Sequence, residues 1–299
     1  MTTDVTIIEV GPRDGLQNEP CFIPTEKKLR LIGMLVNAGL RRIEAVSFVH
    51  PQRVPQMADA EAVMDGLPRV SGVSFAALIP NRRGFERAAA CRLDEINWVT
   101  SASPAFNRHN INQTIEENLD AFRELVPLVR QAGQRIRFSI ATSFGCPFSG
   151  RVDPDVVLQL AEQAIAAGAD EIGVADTIGI AVPDEVYALS RRLIDAVGTE
   201  RIALHLHDTR GLALANTYAA YTAGIRSFET AVGGLGGCPF APGAAGNAAT
   251  EDVVYMFERM KVRTGVDFSK LLDAADYAVS LSKRKPLGRI RLVESKNRQ

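Results

Sequence analysis

The sequence lacks the features that mark exported, membrane and metal-finger proteins. Its 299 residues include only 4 cysteines and no Cys-x-x-Cys pair, so neither a disulfide framework nor a cysteine zinc site is indicated. No run of about 20 apolar residues occurs, and the N-terminus MTTDVTIIEV has no basic segment before an apolar one. We therefore expect a soluble protein of the reducing cytoplasm with no membrane partner.

An excess of charge of one sign is also absent, with 34 Lys and Arg residues against 35 Asp and Glu residues. Without a positive excess there is no general attraction for a polyanion, so we expect no nucleic acid partner. The length suits one large domain, because barrels of alternating strands and helices form single domains of about 250 residues. We predict one domain over residues 1–299, with the barrel at 5–266 and a C-terminal helix and tail at 267–299.

Short runs of β-forming residues alternate with longer segments of helical period, which is typical of repeated β/α units. The predicted strands are Val5–Val10, Arg42–Ser47, Gly72–Leu78, Glu95–Val99, Arg135–Ala141, Asp170–Val174, Ile202–Leu206 and Ser227–Ala231. The clearest predicted helices are Thr25–Ala38, Ile115–Gln131, Pro154–Ala167, Asp184–Ala196, Leu212–Ala223, Thr250–Thr264 and Leu271–Ser282. The predicted fold class is therefore α/β, a (β/α)8 TIM barrel with an extra C-terminal helix.

The strongest local pattern is His205-Leu206-His207 at the end of the seventh predicted strand. Strand side chains alternate between two faces, so both imidazoles point the same way and can hold one metal ion. A single histidine in a strand is more often a hydrogen-bonded core residue. A pair at the C-terminal end of a barrel strand favours function, because barrel active sites lie at that face.

A second pattern, GPRDGLQ, follows the first predicted strand on the same face of the barrel. Adjacent Arg and Asp residues in a loop are commonly a solvated surface pair. At this face, however, Asp14 can complete a nitrogen and oxygen ligand set with His205 and His207, which suits Mg²⁺ or Mn²⁺. Arg13 can then face an oxyanion.

A glycine-rich segment, GGLGGCPF followed by GAAGN, comes after the eighth predicted strand. Glycines allow positive φ and close approach of the backbone, which fits both a substrate loop and an ordinary flexible turn. Cys238 is the one cysteine in such a loop. This pattern alone leaves both interpretations open.

Together these motifs resemble those of 3-hydroxy-3-methylglutaryl-CoA lyases, within a wider group of metal-dependent barrel lyases and acyl-CoA condensing enzymes. The resemblance rests on GPRDGLQNE, IEAVSFVHPQRVPQMAD, ADTIGI, HLHDT, ALANT, GGLGGCPFAPGAAGN and TEDVVYM. It implies a divalent-metal-dependent carbon–carbon lyase. Such an enzyme cleaves a thioester of the 3-hydroxy-3-methylglutaryl-CoA type to acetyl-CoA and acetoacetate.

The resemblance also implies which residues act in this reaction. The ligands of Mg²⁺ or Mn²⁺ would be Asp14, His205, His207 and Asn247. The catalytic residues would be Arg13, Cys238, His205, Glu44 and Asp176, and the substrate-binding residues Arg13, Gln17, Ser47 and Asn110. The expected partner is an acyl-CoA substrate, and we expect a homo-oligomer, a dimer.

Two departures from the lyase pattern concern the choice of substrate. Arg210 and Leu212 stand where these lyases have Tyr and Gln, and ATSFGCPF stands where they have SCALGCPY. Arg210 adds a permanent charge near the barrel mouth, which would either bind substrate or point to solvent. The alternatives are therefore a lyase for another acyl-CoA such as citramalyl-CoA, and a Claisen-type acyl-CoA condensing synthase. A noncatalytic barrel is disfavoured, because all four expected metal ligands are present.

Overall fold

The computed structural model describes residues 3–237, 246–283 and 288–297. Within them, eight parallel strands form one closed barrel. The barrel strands are β1 (Thr6–Glu9), β2 (Arg42–Ser47), β3 (Ser74–Leu78), β4 (Glu95–Ser101), β5 (Arg135–Ala141), β6 (Glu171–Asp176), β7 (Ile202–Leu206) and β8 (Ser227–Thr230). β8 pairs with β1 and closes the sheet, with Ser227 beside Thr6. The predicted fold class is confirmed.

Helices surround the barrel, and several begin or end at a residue suited to that place. They are α1 (Thr25–Asn37), α2 (Ala60–Asp65), α3 (Arg82–Ala88), α4 (Pro104–Ile111), α5 (Ile115–Gln131), α6 (Pro154–Ala167), α7 (Pro183–Val197), α8 (Ala213–Ala223), α9 (Thr250–Arg259), α10 (Phe268–Leu281) and α11 (Arg289–Asn297). Thr114 and Glu117 form a capping box at the start of α5, and Asp153 caps α6. Gly168, with φ of 109°, ends α6 in a left-handed conformation that favours glycine. None of the described helices is long and apolar enough to cross a membrane.

The strands divide apolar and polar side chains between their two faces. Phe138 of β5 packs against Phe122 of α5 with ring centroids 4.7 Å apart, and Phe228 of β8 packs against Phe257 of α9 at 5.3 Å. Such outward-facing side chains form the hydrophobic core between the barrel and its helices. On the opposite face, the fully buried Arg137 of β5 lies within 4.0 Å of carboxylates from four other strands. The barrel interior is therefore polar, whereas such barrels are more often filled with Val, Ile and Leu.

The C-terminal segment contains one helix more than the sequence predicted. α10 lies where the extra helix was expected, and α11 follows in the segment predicted as a tail. Asp252 of α9 accepts hydrogen bonds from the backbone N–H groups of Arg289 at 3.0 Å and Ile290 at 2.8 Å. Its carboxylate thereby caps the start of α11 and joins it to the barrel.

Candidate metal centre and active site

Two imidazoles and one carboxylate converge at the C-terminal mouth of the barrel. His205 lies in β7 and His207 directly follows that strand, and their Nε2 atoms are 3.0 Å apart. Asp14 comes from the turn after β1, and one ligand atom from each of the three residues lies within 4.8 Å of the others. Imidazole nitrogens with a carboxylate oxygen form a mixed ligand set for a divalent metal. The structure thus brings together three residues that the sequence indicated.

The turn that carries Asp14 is a π-helical turn, Gly11–Gly15. The buried carboxylate of Glu9 accepts a hydrogen bond from the backbone N–H of Gly11 at 2.7 Å, which holds the start of the turn. A Cβ atom at position 11 would lie 2.6 Å from Glu9 Oε1, so the close approach requires glycine. Held in this way, the turn places Arg13 and Asp14 in the wall of a pocket at the mouth of the barrel.

Asn247 reaches the same place from the segment that follows β8. Its Nδ2 donates to Asp14 Oδ2 at 2.8 Å and to the backbone carbonyl of Leu235 at 3.0 Å. Its Oδ1 is buried and has no hydrogen-bond partner among the described residues. A buried oxygen without a partner is costly, and a cation bound beside Asp14 would supply one. The oxygen atoms of Asn247 and Asp14, together with the two imidazoles, therefore fit a divalent metal ion.

The pKa values of the two imidazoles shift in opposite directions because their neighbours differ. Burial opposes a charge on His205, but its Nδ1 lies 2.7 Å from Glu229 Oε2, and this carboxylate raises the pKa of His205. Burial and the neighbouring His205 lower the pKa of His207 to about 3. His207 is therefore neutral at pH 7, as a metal ligand must be. Glu229 orients His205 as carboxylates commonly orient metal-binding histidines.

Arg13 lies beside these residues with its guanidinium held on two sides. Its Nη1 donates to Asp14 Oδ1 at 2.6 Å, and its Nε donates to the fully buried Glu44. Glu44 also accepts hydrogen bonds from Asn97 Nδ2 at 2.7 Å and Arg137 Nη2 at 3.1 Å. Burial opposes the charge on Arg13, yet Glu44 and Asp14 raise its pKa. The guanidinium is therefore a fixed positive charge next to the candidate metal site.

A pocket of about 220 Å³ opens above these groups. Its polar lining consists of Arg13, Asp14, Gln17, Asn18, Asn97, Asn110, Ser139, Thr177, His205, His207 and Glu229. Gln17 accepts a hydrogen bond from Ser47 Oγ at 2.9 Å, so Ser47 adjoins the pocket through Gln17. Of the residues predicted to bind substrate, Arg13, Gln17 and Asn110 line the pocket, and their role in binding stays a prediction.

A wider groove of about 1000 Å³ adjoins the pocket and shares Gln17 and Asn110 with it. The groove lies between the segments that follow β2, β3 and β4. Three cationic side chains line it, Arg53, Arg83 and Arg87. A long anionic substrate could therefore place its reacting end in the pocket and its charged part in the groove.

Two predicted catalytic residues that the structure describes, Glu44 and Asp176, do not line the pocket. Asp176, at the end of β6, accepts hydrogen bonds from the backbone N–H groups of Ile180 and Ala181, both at 2.9 Å. Burial raises the pKa of Asp176. These contacts show that Asp176 shapes the turn after β6. Cys238 lies outside the described residues, so its catalytic role, like that of Asp176, stays a prediction.

Arg210 connects two turns at the barrel mouth. Its Nη1 donates to the backbone carbonyls of Ile178 and Gly179, both at 2.9 Å, which belong to the turn after β6. Thr177 precedes them in that turn and lines the pocket, whereas Arg210 is not part of the lining. A role of Arg210 in substrate choice would therefore act through the shape of this turn.

Glu229 is the clearest functional residue that the sequence analysis did not identify. It lies in β8, where an acidic side chain stands in an otherwise buried strand. Asn97 of β4 and Arg137 of β5 belong to the same class, since both are polar residues at positions that alternate with buried apolar ones. Such alternation in a barrel strand indicates a polar interior, and it could have pointed to these three residues.

Two further buried carboxyl groups hold the backbone that follows β8. Glu9 accepts hydrogen bonds from the Val232 N–H at 2.9 Å and from Thr250 Oγ1 at 2.7 Å. Glu251 accepts one from the Gly233 N–H at 2.9 Å. Burial raises the pKa of Glu9 to about 7 and the pKa of Glu251 to about 8. Glu251 is therefore mostly protonated at pH 7.

One protein family accounts for nearly the whole chain, because the HMGL-like family model matches residues 4–278. The chain is 46% identical over 273 residues to a hydroxymethylglutaryl-CoA lyase of Bacillus subtilis, with 91% of each chain covered. It is 44% identical over 283 residues to the (R)-citramalyl-CoA lyase of Chloroflexus aurantiacus, with 91% of this chain and 89% of that relative covered. An HMG-CoA lyase structure from Acinetobacter baumannii, in complex with coenzyme A and 3-methylmalate, matches with a TM-score of 0.92 and 39% identity. That match covers 97% of this chain and 96% of the other.

Proposed function

The chain belongs to the HMGL-like family, and on that basis we propose that it is a metal-dependent lyase that cleaves 3-hydroxy-3-methylglutaryl-CoA to acetyl-CoA and acetoacetate. The observation that carries this proposal is the convergence of Asp14, His205 and His207 at the barrel mouth, with Arg13 beside them. Active sites of such barrels lie at this face. The two relatives compared above also bear the names of acyl-CoA lyases.

We propose Mg²⁺ or Mn²⁺ as the metal and Asp14, His205, His207 and Asn247 as its ligands. The unpaired Oδ1 of Asn247 and the neutral imidazole of His207 support this set. Oxygen ligands combined with imidazole suit these two ions. When bound, the metal would lower the pKa of a coordinated substrate hydroxyl and hold that group in place.

In the proposed reaction, the 3-hydroxyl group gives its proton to a base and becomes the ketone of acetoacetate. The C2–C3 bond breaks, and its electron pair forms the enolate of the acetyl-CoA thioester. Arg13 is placed to donate to the enolate oxygen, because Glu44 and Asp14 fix its guanidinium before that charge develops. Cys238 then gives a proton to C2, which completes acetyl-CoA.

The other proposed catalytic residues act through their neighbours. Glu44 is fully buried and holds Arg13, and Asp176 shapes the turn that carries Thr177. His205 is both a proposed ligand and a proposed proton carrier. Its Nε2 faces His207 and its Nδ1 is bonded to Glu229. Burial opposes the charge on Glu229, but Arg137 and His205 lower its pKa, so this carboxylate stays ionised and orients the ring.

The groove beside the pocket supports an acyl-CoA as the partner. A thioester carbon near Arg13 would leave the long CoA arm to pass Gln17 and Asn110 into the groove. Arg53 and Arg83 would then lie near its phosphates. A homodimer and a cytoplasmic location belong to the same proposal.

An assay of the purified protein with a panel of branched 3-hydroxyacyl-CoAs tests the proposal. With Mg²⁺ or Mn²⁺, 3-hydroxy-3-methylglutaryl-CoA should yield equal amounts of acetyl-CoA and acetoacetate. EDTA should abolish cleavage, and added metal should restore it. His207→Ala should lower both the metal affinity and the rate. Full activity of the metal-free protein would refute the metal role, and cleavage of no panel member would refute the lyase.

A second candidate is a lyase for a citramalyl-CoA-like thioester. Its support is the similarity to the (R)-citramalyl-CoA lyase and the presence of Arg210 and Leu212 where 3-hydroxy-3-methylglutaryl-CoA lyases have Tyr and Gln. The same panel separates the two candidates through the ratio of their kcat/KM values. Release of free CoA from acetyl-CoA plus a keto acid would instead identify a condensing synthase.

A further inference from the structure

Charged side chains of alternating sign fill the barrel interior from its N-terminal end to the active site. We call this set the charge column, and its members are Arg42, Glu95, Glu171, Arg137, Glu44, Glu229 and Arg13. Arg42 begins β2 at the N-terminal end, and Arg13 stands beside Asp14 at the C-terminal end. Charges are costly to bury even when they are paired, so packing alone does not account for the column.

Arg137 lies at the centre of the charge column and has no exposed side-chain surface. Its Nη1 donates to Glu229, and its Nη2 donates to Glu44 at 3.1 Å. The carboxylates of Glu95 and Glu171 lie farther from it, at 3.4 Å and 4.0 Å. A planar guanidinium can hold two carboxylates on different strands at once, and an ammonium group cannot reproduce that geometry.

Each of the two carboxylates that Arg137 holds orients one part of the active site. Glu44 accepts the hydrogen bond from Arg13 Nε, and Glu229 lies 2.7 Å from His205 Nδ1. We infer that Arg137 is a positioning residue that fixes Arg13 and His205 relative to each other through Glu44 and Glu229. The inference rests on the proposed function, because it takes His205 as a metal ligand.

The charge column itself offers a matched control at Arg42. This residue is also an arginine bonded to two buried carboxylates, with 2.7 Å to Glu95 and 2.6 Å to Glu171. Among the described residues, its ion pairs do not include Glu44 or Glu229. Arg42→Lys therefore perturbs the same column by the same chemical change without touching the two carboxylates that orient the active site.

The experiment compares Arg137→Lys, Arg42→Lys and the parent in the full-length protein. Mn²⁺ affinity is measured by titration calorimetry without substrate, and kcat and KM are measured with saturating Mn²⁺. Arg137→Lys should weaken Mn²⁺ binding about 10-fold and Arg42→Lys less than about 2-fold, as expected for loss of support behind a metal ligand. The kcat of Arg137→Lys should also fall, because Arg13 loses its fixed position.

Parent-like Mn²⁺ affinity in Arg137→Lys, or an equal loss in Arg42→Lys, would overturn the inference. If Arg137→Lys does not fold, the double variant Arg137→Gln with Glu95→Gln removes one charge of each sign and leaves Glu44 and Glu229 in place. It should show the same loss of Mn²⁺ affinity, and parent-like affinity would overturn the inference. Absence of Mn²⁺ binding by the parent would refute the proposed metal site as well. This result therefore distinguishes failure of the proposed function from failure of the inference about Arg137 alone.

Discussion

At the scale of single residues, Arg13 combines the two properties that an oxyanion donor needs. Its charge is permanent, and its position is set by Glu44 on one side and Asp14 on the other. Donors that are already in place cost no reorganisation when the transition state forms. The same contacts make Arg13 sensitive to a change that preserves charge.

Arg13→Lys should lower kcat about 10²- to 10³-fold, as loss of one oxyanion donor typically does. An ammonium group has its three donors on one nitrogen atom, so it cannot reproduce the spacing at which a planar guanidinium reaches Glu44, Asp14 and an enolate oxygen. Mn²⁺ affinity should fall much less than kcat, because no proposed ligand is replaced and Asn247 still holds Asp14. Steady-state kinetics and calorimetry measure the two quantities, and parent-like turnover would assign Arg13 to structure.

Glu251 should make the folded protein less stable as the pH rises. Its pKa is near 4.5 in an exposed chain, and burial raises it to about 8 in the folded state. Between these values the folded state keeps a proton that the unfolded state has lost. The free energy of unfolding contributed by this group is therefore fully present below the unfolded pKa, and it declines with rising pH until the folded pKa is passed.

Glu251→Gln should remove this pH dependence. The glutamine can still accept the hydrogen bond from the Gly233 N–H and has no proton to lose. Chemical denaturation of parent and variant at several pH values between 5 and 8 gives the difference in stability, which should move in favour of the variant as the pH rises. A difference that does not vary with pH would show that folding does not raise the pKa of Glu251.

A site residue could be predicted from the sequence when its partner lies close to it along the chain. His205 and His207 are two residues apart on one strand, so their common face follows from strand geometry. Arg137 lies 93 residues from Glu44 and 92 residues from Glu229. No local pattern pairs residues at such separations, so the pairing of Arg137 with these two carboxylates appeared only in the folded structure.

At the scale of elements, the turns after β6 and β7 act as one unit because Arg210 joins them. Arg210→Tyr with Leu212→Gln should raise the ratio of kcat/KM for 3-hydroxy-3-methylglutaryl-CoA over citramalyl-CoA. The physical reason is that the turn carrying Thr177 loses its hydrogen bonds from Arg210, so the pocket wall changes shape. Leu212→Gln alone keeps these hydrogen bonds and serves as the control. An unchanged ratio would show that these positions do not set specificity.

Helix α11 should depend on a carboxylate that belongs to another helix. Asp252→Ala removes the acceptor for the backbone N–H groups of Arg289 and Ile290, and loss of such a cap typically costs about 1 kcal/mol. Hydrogen exchange in residues 289–297 should therefore quicken, while exchange in α10 should stay the same. Equal rates in parent and variant would mean that side-chain packing holds α11.

The long elements were predictable, and the short or remotely capped ones were not. The bounds of β2, β5 and β7 agree with the prediction residue for residue. The hairpin of Gly145–Cys146 and Gly150–Arg151 has two residues per strand, too few for any periodicity. The cap of α11 lies 37 residues earlier in the chain, so no local start signal marks that helix.

At the scale of the whole molecule, the proposed metal ligands connect the first and last parts of the barrel. Asp14 follows β1, His205 and His207 belong to the end of β7, and Asn247 follows β8. A bound metal would therefore join segments that are distant in sequence and adjacent in the closed sheet. Unfolding must separate these segments, so metal binding should oppose it.

Mn²⁺ at a concentration of 100 times its Kd should stabilise the folded protein by about 2.7 kcal/mol. For a chain of 299 residues, that gain corresponds to a rise in Tm of roughly 4 °C. A thermal melt with and without Mn²⁺ measures the shift, and His207→Ala serves as the control that should lose most of it. The same shift in parent and His207→Ala would place the stabilising ion elsewhere.

The charge column also limits how this enzyme could be engineered. Exchange of buried ion pairs for well-packed aliphatic side chains is often neutral or stabilising, so a redesign for heat resistance would favour an apolar barrel interior. In this barrel, that exchange would remove Arg137, Glu44 and Glu229, which hold Arg13 and His205. A redesigned interior would thus lose the contacts that orient the active site, even where it raised thermal stability. Stabilising substitutions are better sought on the outer faces of the helices.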